Sequence, residues 1–422
     1  PSCKAISKTR QDMALRGQFL IFCVLVLLVF ESRSAYGSSR GWLGRAGDAT
    51  AAQEIGICAS SVIIHGYKCQ EIDVTTKDGY ILNLQRIPEG RAAGGGQIKR
   101  PPVLIQHGVL VDGLTWLLNP PEQNLPLILA DHGFDVWIAN TRGTRFSRRH
   151  TSLDPSQMEF WNWSWDELVA YDLPAVFDHV YEQTGQKIHY VGHSLGTLIA
   201  LASFSEGLQV DKLKSAALLS PIAYLSYMRT ALGVIAAKSF VGEITTLLGL
   251  AEFNPKGKPV ADFLKSLCTN PVVNCYDLLT SLTGRNCCLN SSTVDLFLRN
   301  EPQSTSTKNM VHLAQTVRDG VIAKFNYGRP DYNLMHYGEF RPPIYNISNI
   351  PHDLPLFVSY GGNDALADLT QYLLYLCKLF SKSGESLNLI CVMSKSLSFQ
   401  VSPQLKMIAV MALFQRQASM TF

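Results

Sequence analysis

The sequence predicts an α/β fold: a mostly parallel central sheet flanked by helices, with a cap inserted late in the chain. Three observations carry that expectation. Compact apolar runs of strand length, bounded by turn residues, alternate with helical segments, the pattern of a parallel sheet whose crossovers are helices. Gly192-His193-Ser194-Leu195-Gly196 stands between one such run and a small-residue helical stretch. That is the strand-turn-helix setting in which G-x-S-x-G holds a serine hydroxyl above a sheet. Finally, from about Ala223 to Asn349 the alternation gives way to apolar helical stretches and a cysteine cluster. In open α/β sheets ligands bind beyond the carboxyl ends of the strands, so an insertion there roofs the site.

Each element follows from its residues. Tyr67 to Val74 and Gly79 to Ile87 alternate polar and apolar side chains around Lys77-Asp78-Gly79, a hairpin signal with Asp-Gly in the turn. Gly94-Gly95-Gly96 lacks the G-x-x-x-x-G-K-[ST] frame of a phosphate cradle and reads as a surface loop. Pro102 to His107 and Phe134 to Asn140 are buried parallel strands, with Leu125 to Asp131 crossing over between them as a helix. Ser164-Trp165-Asp166-Glu167 is a capping box. After Pro174, a residue suited to a helix start, Leu173, Val176, Phe177 and Val180 recur on one helical face. Further strands are expected at Lys187 to Val191, Lys214 to Leu219 and Leu354 to Tyr360, with a helix over Thr197 to Phe204. Within the cap, Leu247, Leu248, Leu250, Phe253 and Phe263 serve equally well as an acyl-pocket lining or as helix-packing core.

With 46% hydrophobic and 17% charged residues, 422 residues can bury a large core. Net charge is +3 without a long basic run, which argues against a nucleic-acid surface. Met13-Ala14-Leu15-Arg16, the apolar run Phe19 to Phe30 and the small residues around Ser34-Ala35 have the form of a secretory signal over residues 13–37. The apolar run is too short for a stable transmembrane span. Residues 1–12 read as upstream translation and 38–57 as a flexible leader. The core then occupies 58–222 and 350–422, divided by the cap at 223–349. Three Asn-x-Ser acceptors, at Asn162, Asn290 and Asn346, agree with an exported glycoprotein. Oxidation of some of the cysteines is expected, and their spacing is not that of a zinc site.

Acyl transfer at a serine needs a base, an acid that orients the base, and donors for the oxyanion. Ser194 is the candidate nucleophile. His107-Gly108-Val109-Leu110 ends a strand with a tight turn and offers the Val109 amide beside that of Leu195, the residue after the nucleophile. Asp364, in Tyr360-Gly361-Gly362-Asn363-Asp364 past a strand end, is the candidate acid; Asp368, at a helix start, is the local competitor.

From His65 to about Asn388 the chain resembles the acid lipase family of the α/β-hydrolase fold, which includes gastric, lysosomal and plant triacylglycerol lipases. The matching blocks are Asp78-Gly79-Tyr80-Ile81-Leu82 before Arg86-Ile87-Pro88, His107-Gly108-Val109-Leu110, Asn140-Thr141-Arg142-Gly143, Trp165-Asp166-Glu167-Leu168 before Tyr171-Asp172-Leu173-Pro174-Ala175, the Gly192 to Gly196 turn, and Gly361-Gly362-Asn363-Asp364 before Leu366-Ala367-Asp368. The resemblance implies a serine hydrolase of glycerolipid or sterol esters at a lipid-water interface, with no metal or organic cofactor. It places the nucleophile on Ser194, the acid on Asp364 and the oxyanion amides on Val109 and Leu195. The signal segment puts the chain in the secretory pathway, which leads to the outside of the cell or to the lysosome or vacuole alike.

One part of the family pattern is missing. The family histidine follows the last strand in a segment of the form Tyr-x-His-x-Asp-Phe, whereas this chain has no histidine after His352. Leu387-Asn388-Leu389 reads as the start of that strand and Met411 to Gln417 as the family's closing helix. Ile390 to about Val410 between them matches nothing in the family and reads as a shifted frame or altered splice. His193 adjoins its own target and His107 reads as structural; His65, His132, His150, His179, His189, His312, His336 and His352 read as ordinary turn, loop, helix or strand residues. The base is therefore not identifiable, and the alternative reading is a lipid-binding relative without turnover.

Overall fold

The computed structural model describes residues 55–92, 99–222, 249–257, 291–361 and 389–394. The expected signal segment, most of the leader, the cysteines from Cys268 to Cys288, Asn290, Asp364 and Asp368 lie outside the described residues. Among the described residues no helix is long and apolar enough to cross a membrane.

In chain order the strands are β1 (Gln70–Thr75), β2 (Tyr80–Ile87), β3 (Pro102–Gln106), β4 (Asp135–Ala139), β5 (Arg149–His150), β6 (Ile188–His193), β7 (Leu213–Leu219), β8 (Glu252–Phe253), β9 (Thr305–Ser306), β10 (Leu356–Gly361) and β11 (Leu389–Ser394). The helices are α1 (Leu125–Asp131), α2 (Trp165–Glu167), α3 (Leu173–Thr184), α4 (Leu195–Ser205), α5 (Ser291–Asn300), α6 (Thr307–Asp319) and α7 (Pro330–Tyr337). The main sheet runs β1-β2-β4-β3-β6-β7-β10-β11, with β5 added beside β2. β1, β2 and β5 are antiparallel, whereas pairing from β4 through β3 to β11 is parallel. β2 meets β4 antiparallel. The hairpin closes through Asp78-Gly79, with Thr75 opposite Ile81 and Gly79 at φ 95°, a conformation that glycine adopts without steric cost.

Side-chain alternation sorts the core onto two faces. Leu104, Trp137, Tyr190, Ala216, Leu218 and Val358 point to one face, against Trp165, Phe177 and Phe204. Val103, Ile105, Val136, Ile138, Val191, Ala217 and Phe357 point to the other, where Leu127 of α1 and Ile57 cover them. Ile57 is fully buried, and the Cys58–Cys69 disulfide joins the first described turn to the start of β1.

α2 begins at the expected capping box, with Ser164 Oγ accepting from Asp166 N–H and the Glu167 carboxylate receiving the Ser164 amide. A π turn over Leu168–Asp172 then leads into α3, whose first turn holds Pro174. The wider turn accommodates a residue that has no amide hydrogen to donate. In the interval read as the cap, β8 and β9 form a two-stranded antiparallel ladder, and α6 lays Leu313 and Val317 against the main core. Leu250 and Phe253 are half-buried, while Leu247, Leu248 and Phe263 lie outside the described residues.

Strand order reverses about β3: β4 follows on one side of it and β6 lies on the other. The carboxyl ends of β3 and β6 thus flank the crevice in which open α/β sheets bind ligands.

Candidate active site

Ser194 sits where β6 ends and α4 begins, at φ 51° and ψ −115°. A non-glycine residue with positive φ is strained and persists only where its surroundings hold it. Several contacts do so. The Ser194 amide donates to Leu219 O at 3.1 Å, and its carbonyl accepts from Thr197 N–H at 2.8 Å and Thr197 Oγ1 at 2.6 Å. Tyr190 hydroxyl donates to Gly196 O at 2.7 Å. The flanking glycines are required by space: a methyl on Gly192 would come within 2.8 Å of Gly196 O, and one on Gly196 within 2.8 Å of Gln106 O.

The turn after β3 faces this serine. A Cβ on Gly108 would lie 3.0 Å from Ser194 Cβ and 3.4 Å from its Oγ. Among the described residues, neither Val109 N–H nor Leu195 N–H has an acceptor; Leu195 is in the first turn of α4, where helical amides lack intrahelical partners. His107 is fully buried and locks the turn. Thr141 N–H donates to His107 Nε2 at 3.1 Å, which fixes the ring hydrogen on Nδ1, 2.8 Å from Gly108 O. Burial pushes its pKa down, so the ring stays neutral.

All ten histidines are described, and no hydrogen bond joins any of them to Ser194 Oγ. His193 projects toward Gly108 and packs edge-on against Trp116, with ring centroids 6.0 Å apart. His189 bonds Ser215 Oγ at 2.7 Å, and burial lowers its pKa to about 3. His312 stacks on Trp165 at 4.1 Å, and burial likewise brings it to about 3. His132 and His150 bond carbonyls of Ile128 and Asp78, His179 packs on Trp137, and His336 stacks on Tyr327. His65 ends a short 3-10 turn, and His352 is exposed. Asp364 lies just past β10 and outside the described residues, so its place relative to Ser194 is not described.

Two buried ionic groups border the site, and the sequence reading gave neither a role. Arg142, with no side-chain exposure, pairs with Asp78 at 2.6 Å and Asp172 at 2.6 Å and lies 3.9 Å over the Tyr80 ring. Burial opposes its charge, but the two carboxylates overcome this and hold its pKa above the ordinary value. On the far side of the oxyanion turn, Asp112 meets Arg145 Nη2 at 3.1 Å and receives the Leu114 amide at 2.9 Å. Glu301 Oε1 accepts the Asp112 amide at 3.2 Å. Burial, then the Asp112 charge, raises Glu301 to about 8.

A parallel sheet with a strained, accessible serine at the turn after a central strand defines an α/β hydrolase. A family model described as "alpha/beta hydrolase fold" matches residues 101–389, and one described as "Partial alpha/beta-hydrolase lipase region" matches residues 58–120. Triacylglycerol lipase 2 of Arabidopsis thaliana is 65% identical over 353 residues, 83% of this chain and 83% of the relative. Gastric triacylglycerol lipase of Rattus norvegicus is 37% identical over 364 residues, 84% of this chain and 90% of its own. A thermostable carboxyl esterase from Bacillus coagulans, solved in complex with glycerol, shares the fold at a TM-score of 0.50 and 12% identity, over 83% of this chain and 98% of that one. The chain belongs to the lipase family of the α/β-hydrolase fold, a family of carboxylic ester hydrolases.

Proposed function

We propose that this chain hydrolyses carboxylic esters of lipids, triacylglycerols first, through an acyl-enzyme on Ser194. The observation that carries the reading is Ser194 itself, held at positive φ against the Gly108 turn, with the Val109 and Leu195 amides lacking an acceptor among the described residues. Ser194 Oγ attacks the ester carbonyl while a base takes its proton. The Val109 and Leu195 amides bind the oxyanion of the tetrahedral intermediate, which collapses as the alcohol leaves with that proton. Water then repeats the sequence on the acyl-enzyme and frees the fatty acid. Asp364 orients the base, and no metal or organic cofactor enters.

The base is a histidine that belongs beyond β11 and that a shifted frame or altered splice has removed between Ile390 and Val410. Two observations support this. The family match ends at residue 389, and none of the ten histidines present bonds the serine. Removing a triad histidine costs roughly a millionfold in turnover, which is about 8 kcal/mol of barrier. A lipid-binding relative without turnover is the disfavoured alternative, because the similarity to named lipases covers most of the chain. The protein is placed in the secretory pathway, outside the cell or in a lytic compartment, a reading that the Cys58–Cys69 disulfide supports.

The test is fatty-acid release from emulsified triacylglycerol, by the mature chain as written and by one whose segment before Met411 is restored from the transcript. The restored chain is expected to be faster by a factor on the order of a million. Equal turnover in both would defeat the assignment of the base.

A further inference from the structure

We propose that Glu301 is a positioning residue for the oxyanion turn, through which the segment following α5 holds the Val109 amide against Ser194. The inference rests on the serine-hydrolase reading of Ser194 and adds to it a residue distant in sequence.

The turn from His107 to Gly113 is fixed at both of its ends by the core. His107 is tied to Thr141, and the Gly113 amide donates to Asn140 Oδ1 at 2.7 Å. Between these anchors the chain passes through Leu110 at φ 60°, a left-handed conformation that a leucine does not hold on its own. Its support comes from residues 301–303. Gln303 N–H donates to Leu110 O at 2.8 Å, and Glu301 Oε1 takes the Asp112 amide. Gln303 Oε1 also accepts the Arg145 amide at 3.3 Å, and Arg145 returns to the turn through Asp112. Glu301 and Asp112 are both wholly buried. A carboxyl group is placed in such surroundings only at a cost, and here it accepts an amide from the backbone of the turn. Leu110 directly follows the proposed donor Val109, so slack at Leu110 moves that donor. An amide displaced from where the oxyanion develops loses its effect on the transition state while ground-state binding is unchanged.

Among the described residues, the charged and titratable groups facing Glu301 are Asp112 and Arg145. Ionising Glu301 sets a second negative charge against that of Asp112 in a buried setting, and the turn loosens.

The test compares Glu301→Ala and Glu301→Gln by amide hydrogen exchange over residues 108–114 in the full mature chain, and by hydrolysis of a soluble short-chain ester in the chain whose segment before Met411 is restored. In Glu301→Ala, exchange over 108–114 is expected to speed about tenfold while that of β6 is unchanged. Its kcat should fall about tenfold with KM unchanged, less than the 10² to 10³ of a deleted donor. Glu301→Gln, which keeps the acceptor, should restore both. It should also remove the extra exchange, beyond the intrinsic rise with pH, that the unaltered chain shows between pH 7 and 9. That comparison decides the matter even where Glu301→Ala does not fold. Unchanged exchange over 108–114 in Glu301→Ala, or identical pH dependence in the unaltered and Gln chains, would overturn the proposal. Ester hydrolysis that survives Ser194→Ala would sink the serine-hydrolase reading instead, and the exchange result would still stand on its own.

Discussion

At the scale of single residues, the site depends on groups too small or too buried to be exchanged. A methyl on Gly196 would meet the carbonyl oxygen of Gln106, a strand backbone atom that cannot turn aside. Gly196→Ala is expected to cost about 1–3 kcal/mol, measured by urea unfolding, and to reduce ester hydrolysis by tilting the turn. Arg142 poses the opposite problem, since its removal strands Asp172 in the interior. Arg142→Met should cost about 3–5 kcal/mol in the same experiment. Arg142→Lys should recover little, because an ammonium lacks the planar fork that reaches both carboxylates. Ser194 was legible as a candidate because its motif is local, whereas the ion group of Arg142 joins residues from three separate turns. Asp78-Gly79, Asn140-Thr141-Arg142-Gly143 and Asp172 were all visible as text. Their meeting was not, because spacing along a chain does not encode which loops converge. Glu301 escaped for the same reason: one acid beside Pro302 becomes notable only once Asp112 is known to lie against it.

At the scale of elements, alternation and caps were the legible part. α1 spans the residues expected of it, Leu125–Asp131, because Asn124 caps it and His132-Gly133 ends it. β3, β4, β6, β7 and β10 fall within a residue or two of the apolar runs that announced them. The helical path through Pro174 was less legible, since proline normally marks a beginning. The π turn of Leu168–Asp172 lets helix run into it from the capping box instead. The box is thus the true start, and Ser164→Ala should lower stability by about 1 kcal/mol, read as a shift in the unfolding midpoint. Asp364, the proposed acid, rests on resemblance and on its position in the sequence after β10.

For the whole molecule, buried titratable groups give stability a pH dependence whose sign can be worked out. Burial raises Glu301 from 4.5 to about 8 and Asp166 from 3.8 to about 7. Each contributes stability that is complete below its ordinary value and lost as pH rises through its raised one. Burial lowers His189 and His312 from 6.5 to about 3, so their contribution is complete above 6.5 and lost as pH falls. Between pH 6.5 and 8 these two carboxyl groups lower stability as pH rises, and the thermal midpoint should fall. The Asp166→Asn/Glu301→Gln double variant should flatten that slope in a calorimetric series; an unchanged slope would place its origin elsewhere. The closing strand carries a different consequence. β11 pairs with β10 from Leu389 to Ser394, past residue 389, where the family match ends. A parallel ladder is made of peptide groups, so it accepts any run of apolar, β-compatible residues and takes no account of what they were meant to lead to. On the proposed loss of the histidine, architecture and chemistry are separable traits: a transcript variant completes the sheet while forfeiting the reaction, and the amount of folded protein in a cell is then no guide to its lipolytic capacity.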